Sequence, residues 1–375
     1  MRYSVSFLSF LLALNLLGAV STSVGAQGKP KAGPKKNRKT SSRSVLSEEQ
    51  RKALADEATT EGDLAFDQER YADAVTAYTK AIQYNPTDIF TFINRGKAYV
   101  ELGEIEKAIA DFSEAIRQEP DYGDGYFQRA QAFSKKADRE KELADYNEAI
   151  RLAPDPVEAI VERGKLYQDL GRNDEALKNF NLAIQVNRKD AQGYDARAFY
   201  YYVNDEPRKA LVDAEQAVRL DPEEAWYVFH RGAIYADLHE EDKAIADFTK
   251  AIQLNPTFTL ALMDRANAYS AKGDSAKAIS DFTEAIRVDP KFGPAFISRG
   301  LSYWRRGEFD PAITDFNEAI RLSPRDGAAY LLRGQAYRSK GDKERAIADF
   351  RKVIEIDTGF PAKKAREYLS DLGVQ

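Results

Sequence analysis

The sequence predicts an all-α solenoid of stacked helical hairpins. Three observations carry that expectation: a fixed period of 34 residues, two runs of helical spacing inside each period, and a proline that closes it. Pro86, Pro120, Pro154, Pro222, Pro256, Pro290 and Pro324 share one register, with Arg188 and Thr358 on the same beat. Nine units fit without insertion or deletion, at 55–88, 89–122, 123–156, 157–190, 191–224, 225–258, 259–292, 293–326 and 327–360. A period of this length marks a repeat architecture, in which one unit buries its apolar face only against the next.

Within the second unit, Phe92, Gly96 and Tyr99 are spaced by four and three, and Ala108, Phe112 and Ala115 likewise. Each set is one face of a helix. Leu102-Gly103 separates the runs, and glycine recurs there as Gly171, Gly273, Gly307 and Gly341, where a left-handed cap needs it. Proline ends the second helix because it lacks an amide hydrogen and biases the preceding residue away from helical torsions. The first helix carries a Gly or Ala column from Gly62 to Gly334, although glycine inside a helix costs roughly 1 kcal/mol. Small size is therefore required there, and the expectation is contact with the alanine column Ala74, Ala108, Ala176 and onward, ringed by the aromatic columns.

These columns resemble the tetratricopeptide repeat family: an aromatic, a small residue and Tyr on the first helix, then Ala, aromatic, Ala and a closing Pro on the second. The resemblance covers residues 55–360. It implies a superhelical solenoid whose first helices line a concave groove for peptides or partner proteins. Two positions depart from the pattern, Glu142 in the alanine column and Ala214 in the aromatic column. The Lys and Asn set with which some members clamp a C-terminal carboxylate is not matched.

Outside the repeats, residues 1–26 read as a signal peptide. Met1-Arg2 precedes an apolar run from Val5 to Val20 and then Val24-Gly25-Ala26, small residues of the kind a signal peptidase reads. The run is shorter than the about 20 residues of a membrane span, so cleavage near Ala26 and export, periplasmic or secreted, are expected. The alternative is an uncleaved anchor formed by residues 5–20, favoured by the positive charge that follows. With no cysteine in the chain, neither a lipid-modified cysteine nor a disulfide is available. Residues 27–45 hold seven Lys or Arg and no acidic residue, and are expected to be a disordered basic linker able to touch an anionic surface. Ser47-Glu48-Glu49-Gln50 reads as a capping box that opens the folded region 46–360, and residues 361–375 as a capping helix with Ala365, Tyr368, Leu369 and Leu372 on one face.

Charge and chemistry narrow the function. The chain carries −5, and setting aside Arg2 and the seven basic linker residues leaves −13 on residues 46–375. Such a body is a poor match for nucleic acid, whose phosphates need clustered Lys and Arg. His230 and His239 are the only histidines, and no glycine-rich phosphate loop is present, so no catalytic, cofactor-binding or metal residues are assigned and an enzyme is not expected. The arginine column Arg95, Arg129, Arg163, Arg197, Arg231, Arg265, Arg299 and Arg333 runs beside an acidic column from Asp111 to Asp349 in which Asn179 replaces one member. The first unit lacks both, which points to internal pairing rather than a ligand-binding ladder.

A binding groove is sought among first-helix residues that vary from unit to unit. The column Thr59, Ile93, Phe127, Val161, Asp195, Phe229, Met263, Ile297 and Leu331 suits inter-repeat packing and binding equally. Two others turn from polar or small, as at Lys97, Gln131, Ser134, Lys165 and Gln168, to bulky. Phe199, Tyr202, Trp226, Phe229, Leu301 and Trp304 are accordingly the candidate protein-binding anchors, on repeats five to eight. The function expected is a non-catalytic protein-interaction scaffold of the extracytoplasmic space that binds a peptide or protein segment in the groove. The alternative is an envelope-surface adaptor held to an anionic membrane or wall by residues 27–45. Partner identity and oligomeric state are not specified by the sequence.

Overall fold

The structure, a computed structural model, describes residues 46–374; the expectations for residues 1–45 lie outside them. The described residues contain nineteen α-helices and no strand. They fall into two compact units, one ending at Arg197 and one beginning at Ala198. The first holds α1 (Glu48–Asp67), α2 (Tyr71–Tyr84), α3 (Ile89–Glu101), α4 (Ile105–Gln118), α5 (Gly123–Lys135), α6 (Arg139–Leu152), α7 (Val157–Asp169) and α8 (Asn173–Val186). The boundary falls inside α9 (Ala191–Val203). The second unit continues with α10 (Pro207–Leu220), α11 (Ala225–Asp237), α12 (Glu241–Leu254), α13 (Thr259–Ala271), α14 (Ser275–Val288), α15 (Gly293–Arg305), α16 (Phe309–Leu322), α17 (Gly327–Lys340), α18 (Lys343–Ile356) and α19 (Phe360–Asp371). Within each unit, helices pack chiefly on those just before and after them, the arrangement of stacked hairpins.

Helix ends follow the local chemistry. Ser47 opens α1 with both halves of the capping box: its Oγ accepts from Gln50 N at 3.1 Å, and its own amide donates to Gln50 Oε1 at 2.9 Å. The turn inside each hairpin carries one residue with positive φ at every 34th position, namely Glu69, Gly103, Ala137, Gly171, Asp205, His239, Gly273, Gly307 and Gly341. Five are the glycines expected there. The other four hold the same left-handed torsions (φ 56° to 62°) at a steric cost that glycine avoids.

The nearest neighbour of the small column is the aromatic ring of the facing helix. A methyl group on Gly96 would lie 2.5 Å from Phe112 Cε1, and Gly164, Gly232, Gly300 and Gly334 would strike Phe180, Phe248, Phe316 and Phe350 in the same way. These rings are almost completely buried. Leaving out the side chain lets the ring lie against the facing helix backbone, and that ring forms the centre of each hairpin's core.

The arginine column is internal. Arg95 Nε and Nη2 donate to Asp111 Oδ2 and Oδ1 at 2.8 and 2.7 Å, joining the two helices of one hairpin. Its Nη1 donates to Thr79 Oγ1 at 3.0 Å on the preceding hairpin. Arg129 repeats this with Asp145 and Ser113 in the first unit, and Arg265 with Asp281 and Thr249 in the second. Arg95, Arg129 and Arg265 are thus staples both within their hairpins and back to the one before, and aromatic rings flank Arg95 at Phe92 and Tyr99. Burial pushes the Asp315 carboxyl upward against the pull of Arg299, so part of the attraction only offsets desolvation. The carboxylate partner nevertheless holds the Arg299 guanidinium above its ordinary range.

Arg163 is the informative exception. Its Nε donates to Asn179 Oδ1 at 2.9 Å and its Nη1 to Asn147 Oδ1 at 2.7 Å, so both acceptors are neutral. Burial then wins, and the Arg163 guanidinium is lowered where Arg95 and Arg129 are raised. Asn179→Asp should restore a bidentate carboxylate and stabilise the chain by about 1 kcal/mol, less than a full charged bond because the Asn179 amide's own bond to Glu175 O is lost. Urea denaturation followed by circular dichroism measures it; a variant no more stable than the parent would show that the neutral pair is equally good.

Candidate functional site on the first helices

The first helix of each hairpin places one face on its partner and a second against the neighbouring hairpin; what remains faces outward. The column that suited packing and binding equally belongs to the second face. Ile93, Phe127, Val161, Phe229, Met263 and Leu331 are all buried. They join consecutive hairpins, so their apolar character follows from stacking.

Of the six candidate anchors, two are corrected by the structure. Phe229 is 0 % exposed and lies in a core cluster that runs from α10 to α15. A ring with no accessible surface offers nothing to a partner. Tyr202 is buried in a cluster with Ala198, Ala210, Ala214 and Ile234. The aromatic column has only a methyl at Ala214, and Tyr202 belongs to the same core cluster, supplying the ring volume missing there. The sequence showed Ala214 as a departure from the aromatic column and Tyr202 as a bulky residue in a variable column.

The remaining four are more open. Leu301 and Trp304 are half-buried on α15 and pack against the last core cluster, where Trp304 Nε1 donates to Ser339 Oγ on α17 at 3.1 Å. Trp226, at the start of α11, is 43 % exposed. Its ring lies 4.6 Å from that of Phe258 and 5.6 Å from His230, and Phe199 stacks on His230 at 6.4 Å. His230 sits half-buried among these rings. Trp226, Phe199 and His230 therefore form an aromatic face in the second unit with Phe229 and Phe258 beneath. Such a face offers rigid apolar area at low entropic cost.

In the first unit, a cavity of about 230 Å³ opens between α1, α3 and α5, lined by Phe66, Lys97, Val100, Glu101, Gln128, Gln131 and Lys135. Sequence reasoning noticed Lys97 and Gln131 and passed over the rest. The signal was present: 66 and 100, 97 and 131, and 101 and 135 are three pairs one period apart, so adjacent first helices contribute equivalent positions. A larger depression of about 690 Å³ lies at Pro86, Thr87, Ile89, Glu114, Arg117, Gln118 and Glu119. Three of its polar side chains engage one another: hydrogen bonds from Arg117 and then Gln118 hold the Glu114 carboxyl down at about 2, and Gln118 also donates to Pro86 O at 3.0 Å. Among the described residues no helix is long and apolar enough to cross a membrane.

Profiles described as tetratricopeptide repeat match residues 123–156 and 297–359, and one described as TPR repeat matches 62–103 and 96–136. The chain is a tetratricopeptide repeat protein. A further profile, the ETO1 C-terminal domain, matches residues 167–296. Hsp70-Hsp90 organizing protein 1 of Glycine max is 40 % identical over 58 residues, 16 % of this chain. The chain thus spans about 10 % of the length of the curated relatives it matches. Among solved structures, the APC/C hetero-tetramer Cut9-Hcn1 is 14 % identical, with 84 % of this chain and 76 % of that one covered at a TM-score of 0.54. A tetratricopeptide repeat protein from Parabacteroides merdae is 23 % identical, with 66 % and 97 % covered at 0.50. At such identities the likeness is one of fold. The tetratricopeptide repeat assignment sharpens the reading of Tyr202, because the aromatic it substitutes is part of the repeat's own core pattern.

Tyr202→Ala should therefore cost about 3–5 kcal/mol of stability, in the range of a core aromatic. Ala214→Phe should recover part of that loss in the double variant while overpacking the parent, a non-additivity readable by thermal or urea denaturation. Additive effects would mean that the two side chains do not share one space.

Proposed function

We propose that the chain is an exported, non-catalytic scaffold that binds an extended or helical apolar segment of a partner protein along the first helices of its second unit. Tetratricopeptide repeat proteins bind protein or peptide partners, and that general activity is the starting point. The observation that carries the finer reading is Trp226, a large aromatic left 43 % exposed beside Phe199 and His230 while the core aromatics of the same hairpin are closed off. Binding energy usually concentrates in a few such residues. The acidic body favours a partner segment flanked by Lys or Arg. Leu301 and Trp304 contribute secondary contacts from their half-buried positions. The mechanism is display and not catalysis. Export rests on residues 1–26 alone, with cleavage near Ala26; the basic residues of 27–45 support the second reading, attachment to an anionic envelope surface.

Trp226→Ala should weaken capture of the partner by about 1–3 kcal/mol and shift the melting temperature little. The measurement is a pull-down with the chain from Gln27 onward, with identification of the retained protein and titration of the purified pair. A variant that binds normally removes the aromatic face from the interface. N-terminal sequencing of the native protein is expected to begin at Gln27, and a retained Met1 in a membrane fraction would make the apolar run an anchor.

A further inference from the structure

The first hairpin leaves open a helix face that later hairpins cover. Leu64 on α1 is 56 % exposed, whereas Ala98, Leu166, Ile234 and Ala336, at the same place in later repeats, are buried. In those repeats the face meets the second helix of the hairpin before, and the described residues hold no hairpin before α1. Glu57, Glu61 and Leu64 lie on one side of α1, spaced by four and three. Glu57 is exposed where Thr91 of the next repeat is buried, and Glu61 stands where that repeat has Arg95. Glu57 is in no ion pair among the described residues, and Glu61 has only the exposed Lys80, at 3.9 Å.

Negative charge gathers at the same end. Residues 55–88 carry eight acidic side chains against two basic ones, the largest imbalance of the nine repeats. The next three repeats fall to seven against four, seven against six and six against six. Residues 27–45, with seven Lys or Arg and no acidic residue, end two positions before Ser47, the cap of α1.

We propose that residues 27–45 dock on this open face of α1, in the place a preceding hairpin would occupy. Reach is ample: Leu64 lies about 24 Å along α1 from its first residue, and a segment of this length spans up to about 60 Å when extended. Lys and Arg suit a face that is both acidic and apolar, because their stems lie over Leu64 while their heads reach Glu57 and Glu61. Single exposed ion pairs are weak, but the segment is joined to α1, so its local concentration is about millimolar and several weak pairs suffice. The far end of a second copy is less suited, since on α19 Lys364 is already paired with Glu367, and Asp371 with Arg338. Docked on α1, the basic segment is withheld from any anionic surface, so the first hairpin competes with such a surface for it. Docking needs neither cleavage near Ala26 nor the aromatic face around Trp226, and it holds or fails independently of both.

The chain has no cysteine, so an introduced pair reports contact without background. In the chain from Gln27 onward, Thr40→Cys/Thr60→Cys places one thiol in the basic segment and the other beside Glu57 and Glu61 on α1. Under mild oxidation at low salt the pair should close an intramolecular disulfide. Closure should slow about fivefold or more when Glu57→Gln/Glu61→Gln is added, or in about 1 M salt, where the screening length is about 3 Å. Both carboxylates are exposed, so the melting curve of the Gln variant should match that of its parent. Vesicles of one part anionic to three parts neutral phospholipid, added in place of salt, should slow closure likewise, and a rate they leave unchanged overturns the competition. Equal rates in the parent, the Gln variant and high salt would mean that the segment meets α1 only because it is tethered there, and would overturn docking. Disulfide-linked dimers in place of the closed monomer would overturn it in favour of a second copy.

Discussion

The contact between a helix backbone and an aromatic ring is the constraint on which the rest of the structure depends. Placing glycine at residue 96 costs roughly 1 kcal/mol of helix propensity, whereas burying a phenylalanine side chain is worth about 1.5–3 kcal/mol. The ring wins, and the side chain that would block it is absent. Once the two helices of a hairpin are set by that contact, their remaining polar groups have little choice of partner. The arginine one residue before the small position and the aspartate one residue before the ring reach each other at 2.7 to 2.9 Å in Arg95, Arg129, Arg231, Arg265, Arg299 and Arg333. Polar pairing is thus a consequence of apolar packing here, and its modest net energy serves geometry more than stability.

Much of this was legible in the sequence, and for identifiable reasons. Helix identity follows from spacing, and the Arg–Asp pairing could be read because the first repeat, with Glu61 and Ala77 in their places, lacks both partners together. What could not be read was the destination of a residue whose column is shared by two surfaces. Phe229 and Trp226 are three positions apart on one helix, and only the placement of the next hairpin decides that the first is enclosed and the second open. Tyr202 was missed for a different reason: its burial answers a vacancy at Ala214 on another helix, and compensation between columns has no periodic signature. The cavity at Lys97 and Lys135 was half-visible, since its walls are equivalent positions one period apart, but its depth depends on how two first helices approach.

The residues free for recognition are those left over after each first helix has satisfied two packing faces. That leaves few positions per hairpin, and their chemistry changes along the chain while the core stays constant. In the second unit they are aromatic around His230; in the first they are cationic and amide-bearing against an acidic background. A repeat protein can diversify in this way because a substitution at an outward position disturbs neither the ring contact nor the arginine staple.

The arginine staple also bears on how such a chain can lengthen. Arg95, Arg129, Arg163, Arg265, Arg299 and Arg333 each bond a residue sixteen positions ahead in their own hairpin and one sixteen positions behind in the previous hairpin, as Arg265 does with Asp281 and Thr249. A copied block of 34 residues therefore carries both an arginine reaching backward and a hydroxyl or amide awaiting the next arginine. Its two new junctions are complementary from the moment of duplication, with no further change in sequence. Growth by whole repeats is built into the hydrogen-bonding pattern, and a partial repeat would leave a guanidinium facing a hairpin that cannot answer it.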